Sequence, residues 1–184
     1  MWDQLKGKTA LVTGAAKRIG RETALTLADR GINVIVHFKR SEADAQRLAG
    51  ELQRKGVKAC TIGADFRRPD EYQRLIERAQ QMTGSLDVLV NNASIFPTDT
   101  VTDLSWSGLS ASMEVNAWAP FVLSRTFAQR IGHGKIVNLH DSRLKGYDWT
   151  HVGYILSKHV LAAMTRMMAL EFAPHITVNA VAPG

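Results

Sequence analysis

The sequence predicts an α/β fold, a doubly wound parallel sheet in one domain, and three observations carry that prediction. Short apolar runs rich in Val and Ile alternate with amphipathic runs of helical period along the chain. The helical runs have crossover length, which implies parallel strands joined by right-handed connections. The first strand passes into the first helix through Gly14, Ala15 and Ala16, a corner small enough for a backbone to approach a bound pyrophosphate. A chain of 184 residues with 45% apolar content is one domain with a sizeable core.

In chain order, residues 8–13 read as a strand and residues 18–30 as a helix stopped by Gly31. Residues 32–38 form a second strand, apolar throughout as a strand covered on both faces must be. Ser41 caps a helix that runs to Lys55 and stops at Gly56, and residues 57–62 form a third strand. Pro69 and Asp70 open a helix reaching Met82, and residues 86–94 are a buried fourth strand with a polar end. An irregular loop precedes a long helix over residues 103–130. A fifth strand ends at Asp141, a helix covers residues 152–172, and residues 176–184 are a sixth strand. In such a sheet the ligand lies at the carboxyl ends of the strands.

Residues 1–9 carry charge without a long apolar run, and no stretch approaches the ~20 apolar residues of a membrane span. A cytoplasmic protein with no membrane partner is expected. Cys60 is the only cysteine, so neither a disulfide nor a clustered thiol metal site is expected, and it reads as a buried strand residue. The net charge of +6 suggests an anionic partner. Basic residues are scattered among acids, so a phosphorylated cofactor accounts for them better than nucleic acid.

The end of the second strand points to the cofactor. An acid there would bind the adenosine ribose of NAD, whereas this chain has His37, Lys39, Arg40 and Ser41. Arg40 has the chemistry to bond a 2'-phosphate, with Ser41 adding a hydroxyl and Lys17 and Arg18 in the neighbouring turn. NADPH is the expected cofactor. Tyr154 and Lys158, four apart, share a helix face, and an ammonium beside a phenol lowers its pKa from about 10. Asp141 and Ser142 end the preceding strand on the same side of the sheet.

With TGAAKRIG, NNAS at residues 91–94, YILSK at residues 154–158 and NAVAPG in this order, the chain resembles the short-chain dehydrogenase/reductases over essentially its whole length. The resemblance implies a Rossmann fold. It also implies that Asn116 holds a helix kink and a water chain to Lys158, that Lys158 grips the nicotinamide ribose, and that Asp65 and Asn92 lie along the adenosine. The implied cofactor contacts are Gly14, Lys17, Arg18, Ile19, Gly20, His37, Lys39, Arg40, Ser41, Asp65, Asn92, Ala93, Ser94, Tyr154, Lys158, Pro183 and Gly184, with Asn116, Asp141, Tyr154 and Lys158 as the catalytic group.

Two departures refine the resemblance. Asp141 stands thirteen residues before Tyr154, where the usual member has serine, and Arg18 replaces a small residue in the glycine turn. Together with HFKRS at residues 37–41 and NNASIFP at residues 91–97, they are similar to the pteridine reductase and dihydromonapterin reductase branch. That branch implies Arg18, Ser94, Phe96, Asp141 and Tyr154 around a pterin, with Phe96 stacking on the heterocycle; a loop residue closing the core edge is the other reading of Phe96. A carboxylate opposes the charge of a carbonyl gaining hydride, whereas a C=N bond gaining hydride needs a proton that an acid beside Tyr154 can relay.

Three functions remain open: pterin reduction, reduction of a carbonyl such as a ketoacyl thioester with Ser142 in the serine role, and a nucleotide-binding regulator or assembly subunit without turnover. The two long helices, residues 103–130 and 152–172, carry more apolar surface than one sheet face covers and predict a homo-oligomer, a dimer or larger, and the family resemblance implies a tetramer. The usual lid and last strand are absent from the sequence, so the domain reads as incomplete at its carboxyl end.

Overall fold

A computed structural model describes residues 5–146 and 148–184. Six strands, β1 (Thr9–Val12), β2 (Asn33–Phe38), β3 (Ala59–Gly63), β4 (Val88–Asn91), β5 (Gly134–Leu139) and β6 (Ile176–Val181), form one sheet in the order β3-β2-β1-β4-β5-β6. Every pairing is parallel. The order reverses at β1, so the crevice beyond its carboxyl end, between β1 and β4, is where a ligand enters such a sheet.

Alternating strand residues feed two cores. Leu11, Ile35, Leu89 and Ile136 point to one face, under α3 (Pro69–Gln73), α4 (Leu75–Thr83), α6 (Ala119–Ile131) and α7 (Val152–Glu171). Ala10, Val12, Val34, Val36, Val88 and Val90 point to the other, under α1 (Arg18–Asp29) and α2 (Glu42–Arg54). This two-sided burial is why the strands read as continuous apolar runs. β6 is an edge strand that buries Ile176 and Val178 and exposes Thr177, Asn179 and Val181.

Several elements differ from the sequence reading. The helix expected over residues 69–82 breaks at Arg74, which lets Tyr72 bury against Phe66 and bond Glu114 while Leu75, Ile76 and Ala79 form the buried stripe of α4. The long helix expected over residues 103–130 starts only at α5 (Trp106–Met113), where the Ser105 hydroxyl accepts from Gly108 N–H at 3.1 Å. A π-turn, Glu114–Trp118, then separates α5 from α6. Ser41 precedes α2, but its side chain makes no capping bond. Cys60 is half-buried, because β3 is the other edge of the sheet.

Candidate active site

The turn after β1 is shaped by contact with the segment after β4. Gly14 has φ +62°, and a Cβ there would lie 2.9 Å from Ala93 Cα; a Cβ on Gly20 would lie 2.5 Å from Asn92 Nδ2. Neither position tolerates a side chain. Asn92 Nδ2 donates to the carbonyls of Thr13 (2.8 Å) and Gly14 (3.1 Å), while Thr13 Oγ1 accepts from the N–H groups of Asn92 and Ala93. Asn92 therefore holds the turn. Arg18, exposed at the start of α1, has φ +52°, a conformation non-glycine residues adopt at a cost and typically at functional sites. No side chain caps α1, which leaves its opening amides for a ligand.

His37, expected among the cofactor contacts, lines the cleft and also supports the turn. Gly14 N–H donates to its Nδ1 at 3.0 Å, so the proton sits on Nε2, which donates to the Ala64 carbonyl at 3.0 Å. Burial lowers its pKa to about 4 against the opposing Ala64 bond, so the ring is neutral near pH 7. Beside it, Lys39 pairs with Asp65 at 2.9 Å on the cleft wall. Arg40 and Ser41, expected at the same position, lie outside the wall, since Arg40 projects into solvent beyond the strand end. Lys17 pairs with Asp44 at 2.9 Å.

At the other end of the cleft, the Tyr154 hydroxyl donates to Asp141 Oδ2 at 2.6 Å. Asp141 Oδ1 accepts from Arg143 N–H at 2.8 Å and so caps the short 3-10 turn Ser142–Lys145. Lys158 Nζ donates to the Leu139 carbonyl at 2.6 Å and lies 5.7 Å from the centre of the Tyr154 ring. Burial lowers the Lys158 pKa to about 8, opposed by the Asp141 carboxylate. The expectation that Lys158 makes Tyr154 more acidic is overturned in the protein alone: burial, then the bond to Asp141, pushes the phenol pKa up.

Asn116 sits in the π-turn, fully buried, and serves the loop after β4. Its Oδ1 accepts from Ile95 N–H (2.8 Å) and lies 3.1 Å from Ser94 Oγ; its Nδ2 donates to the Ile95 carbonyl (3.0 Å) and to Ser157 Oγ (3.1 Å). It meets α7 at Ser157, the neighbour of Lys158. Phe96 is 46% exposed, stacked on His151 with centroids 3.7 Å apart and edge-on to Tyr154 at 4.6 Å. Phe96 stands in the cleft wall beside Tyr154.

One cleft of about 650 Å³ runs from Lys39 and Asp65, past Gly14 and Gly20, to Tyr154 and Lys158, while Asn116 lies behind its wall and does not line it. Ile19, Ala93, Ser94, Phe96, Asp141, Pro183 and Gly184 also line it. Among the described residues no group of three or more His, Cys, Asp or Glu could hold a metal ion, and no helix is long and apolar enough to cross a membrane.

Residues 8–184 match the family described as short chain dehydrogenase. The chain belongs to that family. Like its members, this short-chain dehydrogenase is an oxidoreductase. It is similar to the FolM alternative dihydrofolate reductase 1 of Brucella canis, solved with NADP, at 32% identity and a TM-score of 0.92, covering 98% of this chain and 74% of that one. A short chain dehydrogenase of Burkholderia cenocepacia, also solved with NADP, is similar at 34% identity and a TM-score of 0.93, covering 98% and 75%. Among curated relatives, the 3-oxoacyl-[acyl-carrier-protein] reductase FabG of Staphylococcus epidermidis is 34% identical over 183 residues, 96% of this chain and 74% of that protein.

Four groups in this short-chain dehydrogenase went unread in the sequence: Thr13, whose hydroxyl ties the β4 end to the turn, the Leu139 carbonyl that holds Lys158, and the Arg143 and His151 side chains beside Phe96. Thr13 had a signal, a hydroxyl next to the glycine turn. The other three depend on which distant backbone or side chain the fold brings alongside, which no local pattern records.

Proposed function

We propose that the protein is an NADPH-dependent reductase that adds hydride to a C=N bond of a pterin or dihydropterin. The observation carrying this reading is the 2.6 Å bond from the Tyr154 hydroxyl to Asp141, a carboxylate at the point where carbonyl reduction needs a hydrogen-bond donor. A heterocycle rich in N–H groups meets an acceptor there, and a ring nitrogen gaining a proton meets an acid-base pair.

The residues fit NADPH. The Gly14 turn and uncapped α1 suit a pyrophosphate, and Lys39, paired with Asp65 at 2.9 Å on the wall, is the cation that a 2'-phosphate would draw from that pair. When bound, NADPH supplies the hydride. Tyr154 and Asp141 hold one proton between them and deliver it to the substrate nitrogen. Lys158, fixed by the Leu139 carbonyl, would hold the nicotinamide ribose through its ammonium, and Ser94, Phe96 and Arg18 would border the substrate. Asn116 keeps the Ser94–Phe96 loop in register. The similarity to a protein named dihydrofolate reductase supports a pteridine substrate.

The similarity to FabG favours a second reading, carbonyl reduction. Against it, the Tyr154 hydroxyl is bonded to Asp141 rather than to Ser142, although Ser142 also lines the cleft. NADPH oxidation measured with dihydropterins and with ketones separates the two. Turnover of a dihydropterin is the expected result, and ketone turnover with none for dihydropterins would overturn the proposal.

A further inference from the structure

The loop after β4 and the start of α7 are joined at one half-buried residue, Asp99, three positions beyond Phe96. Its N–H donates to the Thr150 carbonyl at 3.0 Å, its carbonyl accepts from Val152 N–H at 3.3 Å, and its Oδ1 accepts from Gly153 N–H at 2.8 Å. Asp99 and His151 thereby form a parallel bridge outside the main sheet. Val152 and Gly153 open α7, where the first amides have no acceptor within the helix. His151, at the position from which a side chain would cap them, makes no capping bond, because its ring lies on Phe96 and its Nδ1 meets Asp148 at 3.0 Å. The cap comes instead from a residue 54 positions earlier, whose carboxylate also meets the positive end of the helix dipole. Gly153 makes that approach possible, since a Cβ there would lie 3.1 Å from Asp99 Oδ2 and 3.3 Å from Leu104 Cδ1.

We infer that Asp99 is a positioning residue for the reaction: it sets Tyr154, the residue after Gly153, against Phe96 by fixing the first turn of α7 to the loop that carries the Phe96 ring. Phe96 lies between two anchors. Asn116 holds the loop at Ile95 and reaches α7 at Ser157, while Asp99 holds it beyond Pro97 and reaches α7 at Gly153. Between these anchors the Phe96 and Tyr154 rings meet edge-on, with centroids 4.6 Å apart. Without the carboxylate, the amide one residue before Tyr154 loses its acceptor, and the first turn of α7 can open while the rest of the helix stays packed. A reacting group displaced by about 1 Å can lose about 100-fold in rate. The inference rests on the reading that Tyr154 delivers the proton, and not on whether the substrate is a pterin or a ketone.

The test compares the parent with D99A and D99N, each with NADPH bound. D99A removes the acceptor, whereas D99N keeps an oxygen for Gly153 N–H and removes only the charge. Hydrogen exchange followed by mass spectrometry should be several-fold faster in D99A at residues 94–98 and 152–156 together, with α1 unchanged, as expected for a lost helix cap. Turnover of dihydropterin and of a ketone is measured on the same proteins. For the substrate that the parent reduces, kcat in D99A should fall by about 10-fold to 100-fold with KM for NADPH unchanged, and deuterium at the transferred position of NADPH should slow D99A more than the parent. D99N should keep the parent exchange rates and most of the parent kcat. Where D99A does not fold, G153A crowds the same contact from the α7 side with the carboxylate intact and should move both readouts in the same direction. Parent-like exchange or kcat in D99A, faster exchange in only one of the two segments, or a D99N as defective as D99A would overturn the inference. Joint loosening with a loss of kcat seen for the ketone alone would keep the inference and reject the pterin substrate, and a parent that turns over neither substrate would reject a role for this contact in the reaction.

Discussion

Lys39 and Arg40 are chain neighbours, yet only Lys39 reaches the cleft, because consecutive residues leaving a strand point in different directions. The sequence made the basic cluster after β2 legible but not which member of it faces inward. Replacing Lys39 by Ala is therefore expected to erode the preference for NADPH over NADH by roughly 1.5–3 kcal/mol, the worth of a bond to a charged group, and replacing Arg40 by less. Titration of both cofactors against both variants checks this ordering, and equal effects would contradict it. Lys158 gives a second expectation. Burial brings its pKa down to about 8, so the ammonium is lost as pH rises through that value and kcat/KM for NADPH should fall by about tenfold per pH unit above it. Lys158→Arg stays charged at every accessible pH and should lack that limb, however low its activity. A parent profile that stays flat to pH 10 would contradict the assignment.

At the scale of elements, strand identity was legible because Val and Ile are buried on both sheet faces, and the helix ends before Gly31 and Gly56 because each glycine takes positive φ just past its helix. The π-turn was not legible as a turn. It adds a residue to a helix without disturbing apolar spacing enough to register, and only the family resemblance pointed to a kink at Asn116. Its use is visible in the structure, where the Asn116 side chain reaches both backbone groups of Ile95. Asn116→Ala leaves these partly buried groups without partners, so it should lower stability by about 2 kcal/mol in urea unfolding. It should also raise KM for the ring substrate, because the Ser94–Phe96 loop loses its anchor. Parent-like stability and KM would show that the loop is held by other contacts.

Over the whole molecule, the cleft follows from β1 sitting at the reversal point of the sheet; the sequence pattern carried the doubly wound class and the ligand end of the strands, because crossover connections leave few alternatives, but not the strand order. Association is less constrained. Met167 and Leu170 on α7 are 65% and 83% exposed, large apolar residues on the helix whose sequence is apolar nearly all round. We expect a dimer or larger assembly through this face. Light scattering at roughly tens of micromolar, on the order of a weak dimer constant, should give more than a monomer mass for the parent and a monomer for Leu170→Glu. A monomeric parent would remove this expectation.

The reaction assigned to the cleft is tested most directly by Asp141→Ser. Serine still caps the turn at residues 142–145, so the fold has no reason to change, but the acceptor and proton partner of Tyr154 are gone. Under C=N reduction, kcat/KM with dihydropterin should fall about 100-fold or more, with NADPH affinity nearly unchanged. Under carbonyl reduction, the same change installs a hydrogen-bond donor for the developing alkoxide and should leave ketone turnover intact or improve it. The account predicts loss of dihydropterin reduction in this variant; reduction at the parent rate would contradict it.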